Sequence, residues 1–234
     1  MNSLDILAVG AHPDDVEIGM GGTLAKLASQ GYKTGIVNLT KAELSSNGTV
    51  EQRQMEAEAA ASVLQVTKRI QLGFPDRGLH SSQEECIQSL VKIFRQYKPK
   101  IVFAPNGEDR HPDHGHCGRI VKEAAFSSGI RNYLTSYEYN AWRPKNVYYY
   151  QINGYVRPDF IIDISEFIDT KIQALTCFES QFYQNESTVN TPLNDGFLER
   201  LKGRESIIGN EVGVPFGEGF ISEKPMLISR IMGE

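Results

Sequence analysis

Cysteine is scarce in this chain, and its three copies, Cys86, Cys117 and Cys177, are far apart and form no CxxC pair. A disulfide framework is therefore not expected, and Cys86 and Cys117 are expected to pack as small hydrophobes on helices. Basic residues are in slight deficit, 24 Lys and Arg against 29 Asp and Glu, for a net charge of −5. No cluster of positive charge is offered to a phosphate backbone, which sets nucleic acid aside as a partner. No apolar run approaches the roughly 20 residues of a membrane span. The opening residues MNSLDILAVGAH also lack the basic start of a secretory leader. These absences predict a cytoplasmic protein with no membrane attachment. No repeat, low-complexity tract or linker divides the 234 residues, so one domain over 1–234 is expected.

What is present is an alternation of short β-like runs and helical stretches. LDILAVG (4–10), KTGIVNLT (33–40), RIQLG and KIVFAP (100–105) read as four strands. Between them lie a helix from about Gly22 to Gly31, one capped by Thr49 with Gln52, and one capped by Ser82 with Glu85. Such an order implies an α/β, Rossmann-like, doubly wound and mostly parallel sheet flanked by helices, with right-handed crossovers. If the strand order is 3-2-1-4, strands one and four meet where the winding reverses, and a ligand site lies beyond their carboxyl ends. After residue 130 the pattern loosens. VYYYQI and DFIIDI look like strands, EFIDTKIQALTCFESQF has helical periodicity, and the rest is rich in glycine and turns. Residues 131–234 are expected to be an extension that covers the site and carries subunit contacts.

The two loops predicted to meet at the switch point are the most unusual in the chain. The first, AHPDDVEIGMGG (11–22), places acids where a phosphate-binding turn would need none; the second is DRHPDHGH (109–116). Four of the five histidines fall in these loops. A catalytic zinc takes three His and carboxylate ligands and keeps a fourth position open. His12 and Asp15 can grip one ion, and His114 can complete the set from the neighbouring loop. Taken singly, each loop has a plainer explanation: Asp14 and Asp15 suit a helix N-terminus, and Asp113 suits an N-cap. Their joint placement at adjacent strands favours chemistry. His80, in a separate loop, reads as a surface histidine, His116 as a helix-start residue, and Cys117 as facing the core.

AHPDD before a glycine-rich helix start, with HPDH a hundred residues on, resembles the PIG-L or LmbE-like family of zinc-dependent N-acetylglucosamine deacetylases. LTKAELSSNGTVEQR, PDRGL, FAPNGEDRHPDHGH, DISEFI, ESQF and EVGVPFGEGF extend the resemblance over nearly the whole chain, towards the bacillithiol-biosynthesis branch, BshB. By position, the resemblance makes His12, Asp15 and His114 the ligands of Zn2+ and Asp14 the general base. His111, oriented by Asp113, would act as an imidazolium on the oxyanion or the leaving amine. Arg53, Asp76 and Arg110 match sugar-binding positions, and the arginines could reach a carboxylated aglycone such as malate, although a surface ion pair explains either arginine equally well. Glu43 is a further loop carboxylate near the mouth. Where BshB relatives often show a tyrosine in the stretch TPLNDGF, this chain has Phe197. The family also implies a homo-oligomer, a hexamer.

The expected activity is hydrolysis of the N-acetyl group of an amino-sugar conjugate, N-acetylglucosaminyl malate, on the way to bacillithiol. The alternatives are deacetylation of free N-acetylglucosamine or chito-oligosaccharide, and a non-catalytic nucleotide- or metal-binding module. Acids at the phosphate position count against a nucleotide, and an open ligand set with a spare carboxylate counts against a passive metal site.

Overall fold

The computed structural model describes residues 3–227. Strands β1 (Ile6–Gly10), β2 (Thr34–Thr40), β3 (Lys68–Phe74), β4 (Ile101–Pro105) and β5 (Asn146–Tyr150) run parallel. β6 (Phe160–Asp163) and β7 (Gly217–Ser222) complete a sheet ordered β3-β2-β1-β4-β5-β7-β6, with β7 antiparallel to both its neighbours. The helices are α1 (Asp15–Ser29), α2 (Val50–Val63), α3 (Gln83–Tyr97), α4 (Pro112–Ser127), α5 (Ile168–Thr176), α6 (Glu179–Phe182) and α7 (Phe197–Asn210). The 3-2-1-4 order expected from the sequence is present, and β1 and β4 are neighbours.

Strand β1 shows why both faces are apolar. Its side chains alternate, with Leu7 and Val9 entering one core beside α3 and α4 while Ile6 and Ala8 enter the other beside α1 and α2. Cys86 and Cys117 pack in the first core, as expected.

The first helix departs from the sequence reading. It begins at Asp15 rather than near Gly22, and Met20 interrupts it at φ −152°. The stretch assigned from periodicity is the part beyond this break. There the amides of Gly22 and Thr23 donate to the Glu218 carboxylate of β7, at 2.9 and 2.6 Å. A break exposes helix-start donors, and a buried carboxylate from the far end of the chain satisfies them. The glycines of the run serve packing. A Cβ on Gly19 would lie 2.0 Å from the Tyr150 ring, and one on Gly22 would lie 2.8 Å from Ile164.

Capping also differs in part. Thr49 Oγ1 accepts from the Gln52 amide as expected, but Gln52 turns its side chain forward to Glu56 instead of back. Ser82 makes no side-chain cap bond to α3. The helical stretch 166–182 is divided into α5 and α6, and the glycine-rich remainder holds α7 and β7, neither of which was expected. Glycine weakens a strand signal, yet Gly217 and Gly219 are required here: a Cβ would meet Ile161 at 2.5 Å and Pro158 at 2.9 Å.

Candidate active site

Beyond the carboxyl ends of β1 and β4 a cavity of about 460 Å³ is lined by His12, Asp14, Asp15, His111 and His114, so the two unusual loops do meet. Arg53, Asp76, Arg77 and Arg110 also line it, as do Leu44, Ser45 and Ser46 from the loop after β2. Ile152, Asn153, Gln181 and Thr191 to Leu193 bring the later part of the chain over the same cavity.

Asp15 is the hinge of the arrangement. Its Oδ2 lies 3.4 Å from His12 Nδ1 and its Oδ1 lies 3.1 Å from His114 Nε2. The His12 amide also donates to Oδ2 at 2.8 Å, which locks the turn. The other nitrogen of His12, Nε2, sits 3.2 Å from Asp76 Oδ1 and 3.8 Å from Asp113 Oδ2. Among the described residues two groupings bring donor atoms within 4.8 Å of one another: His12, His111 and His114, and His12, Asp76 and Asp113.

The electrostatics suit a divalent cation. Asp15, Asp76, Asp109 and Asp113 form ion pairs only with imidazoles among the described residues, whereas Asp14 has Arg53. Burial disfavours charge on His12, yet Asp15 and Asp76 outweigh it and lift the ring to about 10. Burial likewise opposes charge on His114, and Asp15 with Asp109 raises it to about 9. The excess of anions that draws protons onto these rings is the demand a divalent ion would satisfy, so the residues fit a metal.

Asp14 is the helix N-cap residue and adopts a left-handed φ of 107°, unusual outside glycine. Its Oδ2 accepts from Arg53 Nη2 at 2.6 Å, while Arg53 Nε and Nη2 also donate to the Pro13 carbonyl. Burial pushes Asp14 up to about 6 against the pull of Arg53. A carboxylate near neutrality is tuned for proton transfer at physiological pH.

Several expected roles change. Arg53 is buried and occupied with Asp14 and Pro13, and only its Nη1 lacks a protein partner. Asp76, expected to grip sugar hydroxyls, spends its oxygens on His12 and the Leu44 amide. The Asp113 carboxylate does not orient His111. It accepts from the Arg77 amide at 2.7 Å, and it is the Asp113 backbone N–H that donates to His111 Nδ1, at 3.3 Å. His111 is the N-cap of α4, the place that the plainer reading of the loop offered to Asp113. Burial, and then the nearby His12 and His114, lower its pKa, so a neutral ring with Nε2–H is favoured over an imidazolium. Arg110 is exposed at the cavity with no ion pair among the described residues. Glu43 is exposed, is not among the residues lining the cavity, and accepts from the Asp76 amide at 2.7 Å. Phe197 stacks on Phe182, with centroids 5.7 Å apart, and lines an adjoining cavity. His80 is exposed, and His116 lies inside α4 with Arg119 on its Nδ1.

Arg77, Asp109 and Asn153 were missed. Arg77 follows Asp76 in PDRG and has φ 60°; Asp109 stands two residues before His111; Asn153 has no sequence signal and is placed by the turn after β5.

Comparison with known proteins places the chain in a family. The model of the PIG-L family, GlcNAc-PI de-N-acetylase, matches residues 7–125. Diacetylchitobiose deacetylase of Thermococcus kodakarensis is 30% identical over 190 residues, covering 76% of this chain and 70% of that one. A conserved protein of Thermus thermophilus, TT1542, superposes with a TM-score of 0.88 at 36% identity, over 96% of this chain and 97% of its own. N,N'-diacetylchitobiose deacetylase of Pyrococcus horikoshii gives 0.81 at 28% identity, over 92% and 82%. The chain belongs to the PIG-L family of de-N-acetylases. It is thus a metal-dependent hydrolase of linear amide bonds, and the reading as a passive binding module falls.

Proposed function

We propose that the protein removes the acetyl group from N-acetylglucosaminyl malate, a step towards bacillithiol, with Zn2+ held by His12, Asp15 and His114. The observation that carries the substrate reading is a mismatch of charge in the cavity. Each acid that lines it has a cationic or imidazole partner, while Arg77 and Arg110 line it without an ion pair among the described residues. An anionic aglycone would complete that balance through charge-assisted bonds.

When bound, the metal polarises the amide carbonyl and acidifies the attacking water. Asp14 takes the proton of that water, its carboxylate being held by Arg53 and its pKa being near neutrality. His111, with Nδ1 tied to the backbone, has Nε2–H free to donate to the oxygen that gains charge on attack, a role that does not call for the missing tyrosine hydroxyl at Phe197. The proton held by Asp14 is then available to the leaving amine, so the products are acetate and a primary amine.

A second reading is deacetylation of chito-oligosaccharide or free N-acetylglucosamine, favoured by the likeness to two diacetylchitobiose deacetylases. Zinc-loaded protein incubated with N-acetylglucosaminyl malate, diacetylchitobiose and free N-acetylglucosamine, with acetate and amine measured, separates the readings. A malate preference on the order of tenfold or more in kcat/KM is expected from one charge-assisted contact. Equal values for all three would overturn the malate assignment and leave the deacetylase.

A further inference from the structure

We propose that Asp109 is a positioning residue for His114, and that Asn153 holds Asp109 in place. The inference rests on the reading of His114 as a metal ligand. Asp109 lies in the loop between β4 and α4, and its side chain is only 4% exposed. Its Oδ1 lies 3.0 Å from His114 Nδ1 and accepts from the His111 amide at 2.8 Å and from Asn153 Nδ2 at 2.9 Å. Its Oδ2 accepts from the Asn153 amide at 3.1 Å. The approach to His114 is bent away from the line of the ring N–H, but no other acceptor reaches that buried nitrogen among the described residues.

The two imidazoles on either side of Asp15 are therefore built alike. Nδ1 of His12 faces Asp15 and its Nε2 faces Asp76; Nε2 of His114 faces Asp15 and its Nδ1 faces Asp109. A carboxylate behind an imidazole keeps the proton on the rear nitrogen, leaves the front lone pair for the ion, and makes that lone pair a better donor. Asp76 was legible in the sequence as a site residue, whereas Asp109 does the corresponding work on the second loop. Asn153 donates to both of its oxygens from the segment after β5, so the ligand on α4 depends on a residue 39 positions further along.

The test is zinc titration of metal-free protein by calorimetry, with the visible spectrum of the Co2+-loaded form as a second readout. Asp109→Asn keeps an oxygen for Asn153 but loses the charge, and its zinc dissociation constant is expected to rise about 10- to 100-fold with a changed Co2+ spectrum. Asn153→Ala, which retains the backbone donor, should move both in the same direction by less, and it decides the matter if the first variant does not fold. Failure of the unmodified protein to bind zinc would overturn the ligand reading and the inference together. Normal binding by that protein, with an unchanged constant and spectrum in the folded variants, would overturn the inference alone.

Discussion

Arg53 Nη2 donates to Asp14 Oδ2 at 2.6 Å in the buried wall of the cavity, so the guanidinium that the sequence offered to a substrate is bound to the base. Asp14 works ionised, and burial already raises its pKa while Arg53 opposes the rise. In Arg53→Met that opposition is gone and the carboxyl becomes harder to ionise. The acid limb of the kcat/KM profile should then move to higher pH, by about one unit or more. A limb that stays where it is, with only KM raised, would return Arg53 to substrate binding.

Asp14 and Asp15 are adjacent yet should fail differently. Asp14→Asn removes the proton acceptor and should lower turnover by roughly 10² or more with the metal retained. Asp15→Ala removes the carboxylate between His12 and His114, and metal content itself should fall. Metal analysis of both variants checks the division, and the reverse pattern would exchange the two assignments.

Chelation should abolish activity and zinc should restore it. Metal uptake should also release protons, because the metal-free rings of His12 and His114 titrate at about 10 and about 9 and a ligating imidazole must be neutral. Below about pH 9 both rings carry a proton that the ion must displace, so apparent affinity should rise with pH through that range. Calorimetry in buffers of different ionisation enthalpy measures the number released, and a lack of proton release near neutral pH would contradict the charge state derived for the site.

The placement of the chemistry was legible because it depended on loops that follow predictable strands. Two HPD segments after β1 and β4 converge once the strand order is 3-2-1-4; the βα alternation implied the parallel sheet, and the structure has that order. Contacts between distant segments were not legible. Nothing near Arg53 in sequence reveals that it reaches Asp14, 39 residues away, and nothing in DRHPDHGH says that Asp113 turns towards Arg77 rather than His111. β7 was hidden for a related reason: its glycines, which argue against a strand locally, are demanded by Ile161 and Pro158 across the sheet.

Arg110→Met keeps the apolar stem and removes the charge at the cavity mouth. Preference for N-acetylglucosaminyl malate over free N-acetylglucosamine should shrink about tenfold or more, with activity on the free sugar less affected. Equal losses on both substrates would show that Arg110 does not read the aglycone.

Lys171 is fully buried between Glu205 and Glu218, 2.6 Å from each. Lys171→Met leaves Glu218 without its cation and Glu205 with Arg204 alone, 2.9 Å away, and should destabilise the protein by about 3–5 kcal/mol. Urea denaturation measures this, and a loss below about 1 kcal/mol would mean that the cluster is not held by charge.

The cavity wall has one consequence for how the enzyme could be altered. Asn47 Nδ2 donates to the Val189 carbonyl and the Val189 amide donates to Asn47 Oδ1, which ties the loop after β2 to the segment carrying Thr191, Pro192 and Leu193. These two segments clasp each other in the cavity wall, while the proton-transfer groups sit on the loops after β1 and β4. Part of the cavity wall is thereby carried on pieces of chain separate from the proton-transfer groups, while Arg110 shares its loop with His111. Grafting residues 43–47 and 189–194 together as a matched pair would reshape that wall over the same reactive floor, whereas grafting either alone would lose the Asn47–Val189 pairing.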